Sequence, residues 1–264
     1  MDYCISYYHH QKIELFNAAF AAGLRHRRRN LITHAMQDAL TTSFHRSIPI
    51  LYQDEYFVAF DKPSGVLVIP SPKKERYTLL SLVNDANSSK EEGVRLHPCH
   101  RLDRDTSGSI LFAWGKKNQQ MMMKLFHRHQ VKKKYIAFTQ GRIKIKQGEF
   151  RSAIKDFDQR RFSSNANAKL AITRFKVIAL KRDYSIVEVF PVTGRTNQIR
   201  IQFAEAGFPL VGERKYAFAK DFALKFRRVA LHACEIDFVH PVKRNPVNII
   251  SPLPKDMEEF THTH

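Results

Sequence analysis

Short apolar segments that come in adjacent pairs place the strongest constraint on how this chain folds. ITRFKVIAL (172–180) and YSIVEVFPV (184–192) are rich in β-branched and aromatic residues and are separated by only three residues. A connection this short joins antiparallel neighbours, because a parallel pair needs a crossover of roughly a dozen residues or more. Few helical segments alternate with these strands. The sequence therefore predicts an α+β fold with a mostly antiparallel sheet and argues against a doubly wound parallel sheet.

Further segments of the same kind begin at Ile48. Residues 49–70 are predicted to form two strands separated by the turn KPSG (62–65), because proline and glycine favour a turn there. Residues 142–168 are polar and carry few structural signals, which predicts a surface excursion. Other segments predict strands near 109–114, 133–141, 229–240 and 246–251, and helices near 78–86, 116–131 and 196–206, the last capped by Thr196.

The charge of the chain indicates the chemistry of its partner. The 264 residues include 44 Lys and Arg against 25 Asp and Glu, a net charge of +19. This excess is larger than solubility requires, so we expect a polyanionic partner, with nucleic acid as the first candidate. An anionic membrane surface is a weaker alternative, and a basic surface without a dedicated ligand is another. The apolar segments fall short of the roughly 20 residues that a membrane helix needs, so no membrane partner is expected.

The cysteines indicate the compartment. Cys4, Cys99 and Cys234 are too few and too scattered for a disulfide framework, and they form no CxxC pair. HPCH (97–100) matches no common zinc-binding spacing. We therefore expect a cytoplasmic protein without a metal.

Residues 1–47 differ from the rest and are predicted to be a basic N-terminal arm or extension. Residues 13–24 have apolar side chains at helical spacing, and RHRRRN (25–30) follows at once. Such an arm can present arginines to phosphates, although a solvated charge run on a frayed terminus is an open alternative. Glu14 and Asn17 interrupt the apolar stretch that a signal peptide requires, whereas an organelle transit peptide stays possible.

The motif HRLDRDTSG (100–108) contains two carboxylates in a chain that is otherwise strongly basic. Asp103 lies between Arg101 and Arg104, and nearby positive charge favours the ionised form of a carboxyl group. An ionised aspartate is a suitable nucleophile or base, and the Thr-Ser-Gly turn after it could present it in a cleft. The alternative is a surface turn with weak ion pairs.

A second motif, TGRTNQIR (193–200), places Arg195 and Arg200 around the predicted start of a helix, which favours anions. Either arginine could pair with Asp103 or bind the RNA backbone. The alternative is a capped basic helix on the surface.

A third motif, KKYIA (133–137), places Tyr135 directly after three lysines, 132–134. An aromatic ring in this position can stack on a nucleobase while the lysines bind phosphate. The alternative is a half-buried tyrosine of the core.

These three motifs, in this order, resemble the RluA family of RNA pseudouridine synthases. DKPSGVLVIPS (61–71), GFPLVGERKYAF (207–218) and RVALHACEIDFVHPV (228–242) are similar to the opening and closing segments of that family. The resemblance spans roughly residues 49–256. It implies a bent, mostly antiparallel mixed sheet with flanking helices and a central catalytic cleft.

The resemblance also implies an activity that needs neither metal nor cofactor, in which a uridine of RNA is detached, turned and rejoined through carbon. It implies that Asp103 is the nucleophile or base, that Arg200 pairs with it, and that Tyr135 packs on the target base and assists loss of the C5 proton. It implies that Arg101 enters the space left by the flipped nucleotide. The RNA-contacting residues expected from these motifs are Arg101, Arg104, Lys62, Lys134, Arg195 and Gln198.

The chain departs from the family pattern at two positions of these motifs. Asn197 stands where the family commonly has histidine, and Glu213 stands where aspartate is more usual. Asp105 is not required by the family motif, and we expect it to stabilise its loop. No S4-type RNA-binding domain is evident before residue 48. We therefore predict a catalytic domain over 48–258, a C-terminal tail at 259–264, and a monomer.

Two other classes of function compete with this interpretation. An RNA-binding protein with the same fold could have lost turnover, although such a protein would be expected to lose Asp103 or Tyr135 as well. A metal-dependent nuclease could use Asp103 and Asp105, but the neighbouring arginines would compete with a cation. Structured RNA, ribosomal or transfer, is the expected substrate.

Overall fold

The structure is a computed structural model that describes residues 48–71, 77–85, 94–155, 168–217 and 224–264. These residues belong to one compact unit, Arg46–His264. The predicted arm at 1–47, with its helix, lies outside the described residues, as does part of the polar segment 142–168.

The described residues contain strands and helices that alternate irregularly along the chain. In chain order these are β1 (Ile50–Gln53), β2 (Phe57–Lys62), α1 (Leu79–Asp85), β3 (Leu96–Pro98), β4 (Ser107–Trp114), α2 (Gly115–His127), β5 (Lys132–Gln140), β6 (Gln147–Ile154), β7 (Lys169–Leu180), β8 (Tyr184–Pro191), α3 (Gln198–Glu205), β9 (Leu231–Val239), β10 (Pro246–Ile250) and α4 (Lys255–Thr263).

The strands form one mixed sheet in the order β1-β2-β4-β9-β5-β8-β7-β6, with β3 paired to β4 and β10 paired to β9. Each pairing is antiparallel except that of β4 with β9, which is parallel and covers two residue pairs. The α+β class and the mostly antiparallel sheet are therefore confirmed. The predicted hairpin is present as β7 and β8, which pair antiparallel from Thr173 to Leu180.

The short parallel pairing of β4 with β9 joins two parts of the sheet. Ser107 lies opposite His232, and Gly108 lies opposite Ala233. The Ser107 hydroxyl and Nδ1 of His232 are 3.0 Å apart in the buried interior. Gly108 has a φ of +113°, and a Cβ at this position would overlap the Ala233 carbonyl group. The glycine of the Thr-Ser-Gly turn is thus required by the close approach of two backbones.

Buried apolar side chains hold each part of the sheet. One cluster joins β2, β4, α2, β9 and β10, and it includes Phe57, Leu111, Met122, Phe238 and Ile249. A second cluster joins β5, β8 and α4, and it includes Phe138, Tyr184, Ile186, Met257 and Phe260. Full burial of each such side chain contributes about 1.5–3 kcal/mol, so these two clusters keep the strands that they join in place.

The structure differs from the sequence predictions in four places. Both strands of 49–70 lie before the KPSG turn, since β2 ends at Lys62, and the apolar residues after the turn form no strand. Residues 147–154 form strand β6 inside the predicted excursion. Residues 255–263 form helix α4, which buries Phe260 and replaces most of the predicted tail. Asn197, and not Thr196, is the residue before helix α3.

None of the helices in the described ranges is both long and apolar enough to span a bilayer.

Candidate active site

The loop that carries Asp103 connects β3 to β4 and is held by backbone hydrogen bonds. The Thr106 N–H donates to the Asp103 carbonyl at 3.2 Å, which closes a turn. The Gly65 N–H donates to the Arg104 carbonyl at 2.8 Å and ties this loop to the KPSG turn. The two motifs therefore form one support beneath the carboxylate.

Lys62 completes this support from below. Its ammonium group donates to the carbonyl groups of Pro63 at 2.9 Å, Val66 at 2.7 Å and Arg104 at 3.0 Å. The residue is 0% exposed, and burial lowers the pKa of its ammonium to about 7. The prediction that Lys62 contacts RNA is therefore wrong, since all three donors are used inside the protein. Lys62 fixes the loop of Asp103.

Asp103 itself reaches the cleft with 21% of its side chain exposed. Burial raises the pKa of its carboxyl group above the ordinary value. Arg200, Arg101 and Lys62 oppose this effect, and the negative charge of Glu213 adds to it. The arginines favour the ionised form of Asp103, as expected, but desolvation has the larger effect, so the net shift of the pKa is upward.

Arg200 lies on α3 and is held mainly by Glu213. Its Nε donates to Glu213 Oε2 at 2.6 Å, and its Nη2 donates to Glu213 Oε1 at 2.9 Å, which is a bidentate ion pair. Its Nη1 lies 3.9 Å from Asp103 Oδ2, which is beyond hydrogen-bonding distance. The implied pairing of Arg200 with Asp103 is thus a loose electrostatic contact.

Glu213 is a residue of the site that the motifs did not identify as such. It is 0% exposed, and its Oε1 also accepts hydrogen bonds from the N–H groups of Lys215 and Tyr216. Although burial alone would raise it, the pKa of Glu213 is lowered by Arg200 and by these two donors. A buried carboxylate that stays ionised explains how the guanidinium is positioned.

Asn197 shows why the family's usual histidine can be replaced here. The residue has a φ of +55°, a left-handed conformation that asparagine tolerates better than most residues. Its Oδ1 accepts a hydrogen bond from Arg200 at 2.9 Å, and its Nδ2 donates to the Tyr216 hydroxyl at 2.9 Å. The amide thus holds Arg200 from the side opposite to its carboxylate partner.

Tyr135 lies on β5 and lines the same cleft, with 9% of the residue exposed. Burial raises the pKa of its phenol, and the charge of Asp103 raises it further. The phenol is therefore protonated at neutral pH. Such a ring can pack against a base, but it is a poor base itself.

Two other residues predicted to contact RNA are engaged inside the protein. Lys134 forms an ion pair with Glu235 and does not line the cleft. Gln198 is buried, and its amide bonds Thr193, Arg195, Ile172 and Thr173, which satisfies both of its polar atoms. The amide of Gln198 is thus fully used inside the protein, although the residue lines the cleft, whereas the contact of Lys134 with RNA stays a prediction.

The three arginines predicted to contact RNA differ in their position relative to the cleft. Arg101 is exposed and lines the cleft. Arg195 also lines the cleft, and its Nε donates to the Leu170 carbonyl at 3.2 Å. Arg104 is exposed and does not line the cleft, and its carbonyl group accepts hydrogen bonds from the Lys62 ammonium and the Gly65 N–H.

The cleft has a volume of about 570 Å³, which lies in the range of small-molecule sites. It brings together Asp103, Tyr135, Arg200, Arg101 and Arg195 from separate loops, a strand and a helix. A weakly exposed carboxylate, an aromatic ring and fixed positive charge are a suitable set for a nucleotide.

The comparison with known proteins agrees with this geometry. The sequence profile of the RNA pseudouridylate synthase family matches residues 56–205. The chain belongs to this family. Ribosomal large subunit pseudouridine synthase D of Xylella fastidiosa is 31% identical to this chain over 84% of it and 71% of its own length. tRNA pseudouridine synthase C of Vibrio vulnificus is 34% identical over 81% and 94% of the two chains.

A solved structure supports the fold. Human RNA pseudouridylate synthase domain containing 4 covers 88% of this synthase and 97% of its own chain, with a TM-score of 0.69 and 24% identity. The resemblance drawn from the three motifs is therefore confirmed for the family and for the fold.

Proposed function

We propose that this synthase uses Asp103 as the reactive group that converts a flipped uridine of structured RNA to pseudouridine. The observation that carries the proposal is the Asp103 carboxylate, which lies in a basic cleft beside Tyr135 and an immobilised Arg200. No other carboxylate of the described residues lines this cleft.

The chemistry is an isomerisation and balances without a co-reactant. The bond between N1 of uracil and C1′ of ribose breaks, the base turns, and a bond forms between C5 and C1′. The proton on C5 leaves, and N1 takes up a proton. Asp103 acts either by attacking C1′, in which case its bond to C1′ breaks again as C5 attacks, or by removing the proton at C2′, which it returns after the C5–C1′ bond forms. Each role requires the ionised carboxylate.

The other cleft residues have supporting roles in this proposal. Tyr135 packs against the target base, and its protonated phenol makes it a weak acceptor for the C5 proton. Arg200 stabilises charge at Asp103 from 3.9 Å. Arg101 lies where it can fill the space that the flipped nucleotide leaves. Flipping requires a few kcal/mol, which phosphate contacts of a chain with net charge +19 can offset.

The proposed substrate is ribosomal or transfer RNA, since the two relatives named above act on one class each. Residues 1–47 are proposed to be an arm that binds RNA phosphates, next to a catalytic domain that begins at 48. A monomer in the cytoplasm is the proposed state of the protein.

Release of tritium from RNA that carries [5-³H]uridine tests the activity directly, because the C5 proton is lost in the reaction. Ribosomal and transfer RNA transcripts are assayed separately with EDTA present. Release from one pool by the wild type, and none by Asp103→Ala, is the expected result. Tight binding without release from either pool would contradict the proposal and favour a binding protein.

Replacing Glu213 by glutamine is expected to move the acid limb of kcat/KM to lower pH. The negative charge of Glu213 raises the pKa of Asp103, and its removal also leaves Arg200 free to turn toward Asp103. Both changes favour the ionised carboxylate. The variant is also expected to lose about 3 kcal/mol of unfolding free energy or more, because the Arg200 charge loses its buried partner.

A pH–rate profile of kcat/KM and urea unfolding measure these two effects. Glu213→Asp is the matched control, since it keeps the charge and should keep the acid limb in place. If the acid limb of kcat/KM in Glu213→Gln stays at the same pH or moves to higher pH, the assignment of this limb to Asp103 is contradicted.

A further inference from the structure

Lys133 is a cation in the cleft that the roles proposed above do not use. It is half-buried on β5, and its side chain lines the cleft together with that of Tyr135. Residues two apart on a strand lie about 7 Å apart, and both of these side chains line the cleft although the register of β5 against β9 shifts between Lys134 and Tyr135. The ammonium group is therefore within one nucleotide's length of the ring that packs on the target base.

Lys133 has no anionic partner among the described residues. The neighbouring Lys134 pairs with Glu235, whereas only burial acts on Lys133, lowering the pKa of its ammonium to about 8. Asp103 is influenced by other cations, and Lys133 is not one of them. A half-buried ammonium without a partner is unfavourable, which indicates that its partner arrives with the substrate.

The approach to this ammonium group is open. Gly194 is exposed, and a Cβ added there would lie 3.8 Å from Nζ of Lys133. The φ of Gly194 is not in the left-handed region, so the backbone does not demand glycine here. His100 also lines the cleft, and burial together with the charge of Lys133 lowers its pKa to about 3, which leaves it neutral.

We propose that Lys133 is a positioning residue that binds a phosphate group flanking the flipped uridine and so fixes that nucleotide while Tyr135 packs against its base. The proposal rests on the proposed function. An ammonium group is a compact, strongly hydrated charge with three donors, and a phosphate oxygen is its best match in RNA. The carbonyl oxygens of uracil are neutral and would not compensate its charge.

Substitution of the charge tests this role. Lys133→Met is expected to raise KM by roughly 10- to 100-fold with a smaller change in kcat, since a charged hydrogen bond is lost on binding. Lys133→Arg keeps the charge and is expected to recover most of this loss. Lys132→Met is the matched control, because Lys132 is exposed on the same strand and outside the cleft lining, and should change KM by about threefold at most.

Removal of the charge from the RNA identifies the partner. Two substrates carry a neutral methylphosphonate at the phosphate on the 5′ or the 3′ side of the target uridine. One of them is expected to lower kcat/KM of the wild type by roughly 10- to 100-fold. For Lys133→Met, the same substrate should give a kcat/KM no lower than unmodified RNA does. The substrate that does so names the phosphate.

Three results would overturn the proposal. Equal KM values for Lys133→Met and Lys132→Met would show that only net charge matters. If the loss of kcat/KM caused by Lys133→Met adds to the loss caused by each methylphosphonate, Lys133 binds neither phosphate. A Lys133→Met protein with a lowered melting temperature that Lys133→Arg does not restore would indicate a structural role. Failure of the proposed function is distinct, because the wild type would then release no tritium from unmodified RNA.

Discussion

Asp103→Asn is expected to lower pseudouridine formation by at least about 10⁴-fold while RNA binding stays within roughly threefold of the wild type. The amide has the shape of the carboxyl group but can neither attack C1′ nor remove a proton. Tritium release under single-turnover conditions measures the first quantity, and filter binding measures the second. A variant that retains even one tenth of the wild-type rate would remove Asp103 from the chemistry.

The same variant is expected to be at least as stable as the wild type at neutral pH. Burial raises the pKa of Asp103 in the folded protein, so the folded state binds more protons than the unfolded state between the two pKa values. Stability from this group is therefore complete below the ordinary pKa of aspartate and is lost as pH rises through the raised pKa. Asparagine cannot ionise and avoids the loss.

Thermal unfolding at several pH values checks this sign. The melting temperature of Asp103→Asn minus that of the wild type should be largest at neutral pH, and this difference should shrink toward zero as the pH falls below about 4. A difference that grows as the solution becomes more acidic would contradict the raised pKa.

Gly108→Ala is expected to lower the unfolding free energy by more than about 3 kcal/mol, or the melting temperature by roughly 6–12 °C. The new Cβ would overlap the Ala233 carbonyl at the point where β4 meets β9, and the φ of +113° is unfavourable for alanine. Because Asp103 lies on the loop that leads into β4, activity should fall together with stability. Circular dichroism melting and tritium release measure the two effects.

Gly207→Ala separates steric overlap from backbone strain. Gly207 has a φ of +81°, but a Cβ there would meet nothing within 4 Å. Its substitution should therefore lower stability by only about 1–2 kcal/mol and leave kcat near the wild-type value. Equal destabilisation by the two substitutions would show that the joint between β4 and β9 is less tightly packed than the structure indicates.

Sequence motifs were a good guide to which segments meet at the cleft. Asp103, Tyr135 and Arg200 belong to three motifs that are separated by long stretches of chain, and the structure places all three in one lining. The sequence predicts the hairpin of β7 and β8, because a three-residue connection leaves few alternatives. Segment pairing of this kind depends on local pattern, which a sequence displays.

The bonding partners and the burial of individual side chains could not be predicted in the same way. Lys62 looks like an RNA ligand, but its three acceptors include the carbonyl of Arg104, 42 positions away. Lys133 and Lys134 are adjacent and identical, and only the pairing of β5 with β9 shows which of them faces Glu235. Burial, which raises the pKa of Asp103 above what its arginine neighbours suggest, is likewise a property of the assembled fold.

The joint between β4 and β9 has a consequence for how the protein is made. Ser107 and His232, which meet there, are 125 positions apart. At 5–20 residues per second, a ribosome needs roughly 6 to 25 s to extend the chain from one to the other. Contacts of such long range are also the slowest to form during folding. Strand β4, which follows the Asp103 loop, therefore gains its β9 partner late in synthesis, and a nascent chain that ends before β9 carries this loop without that partner.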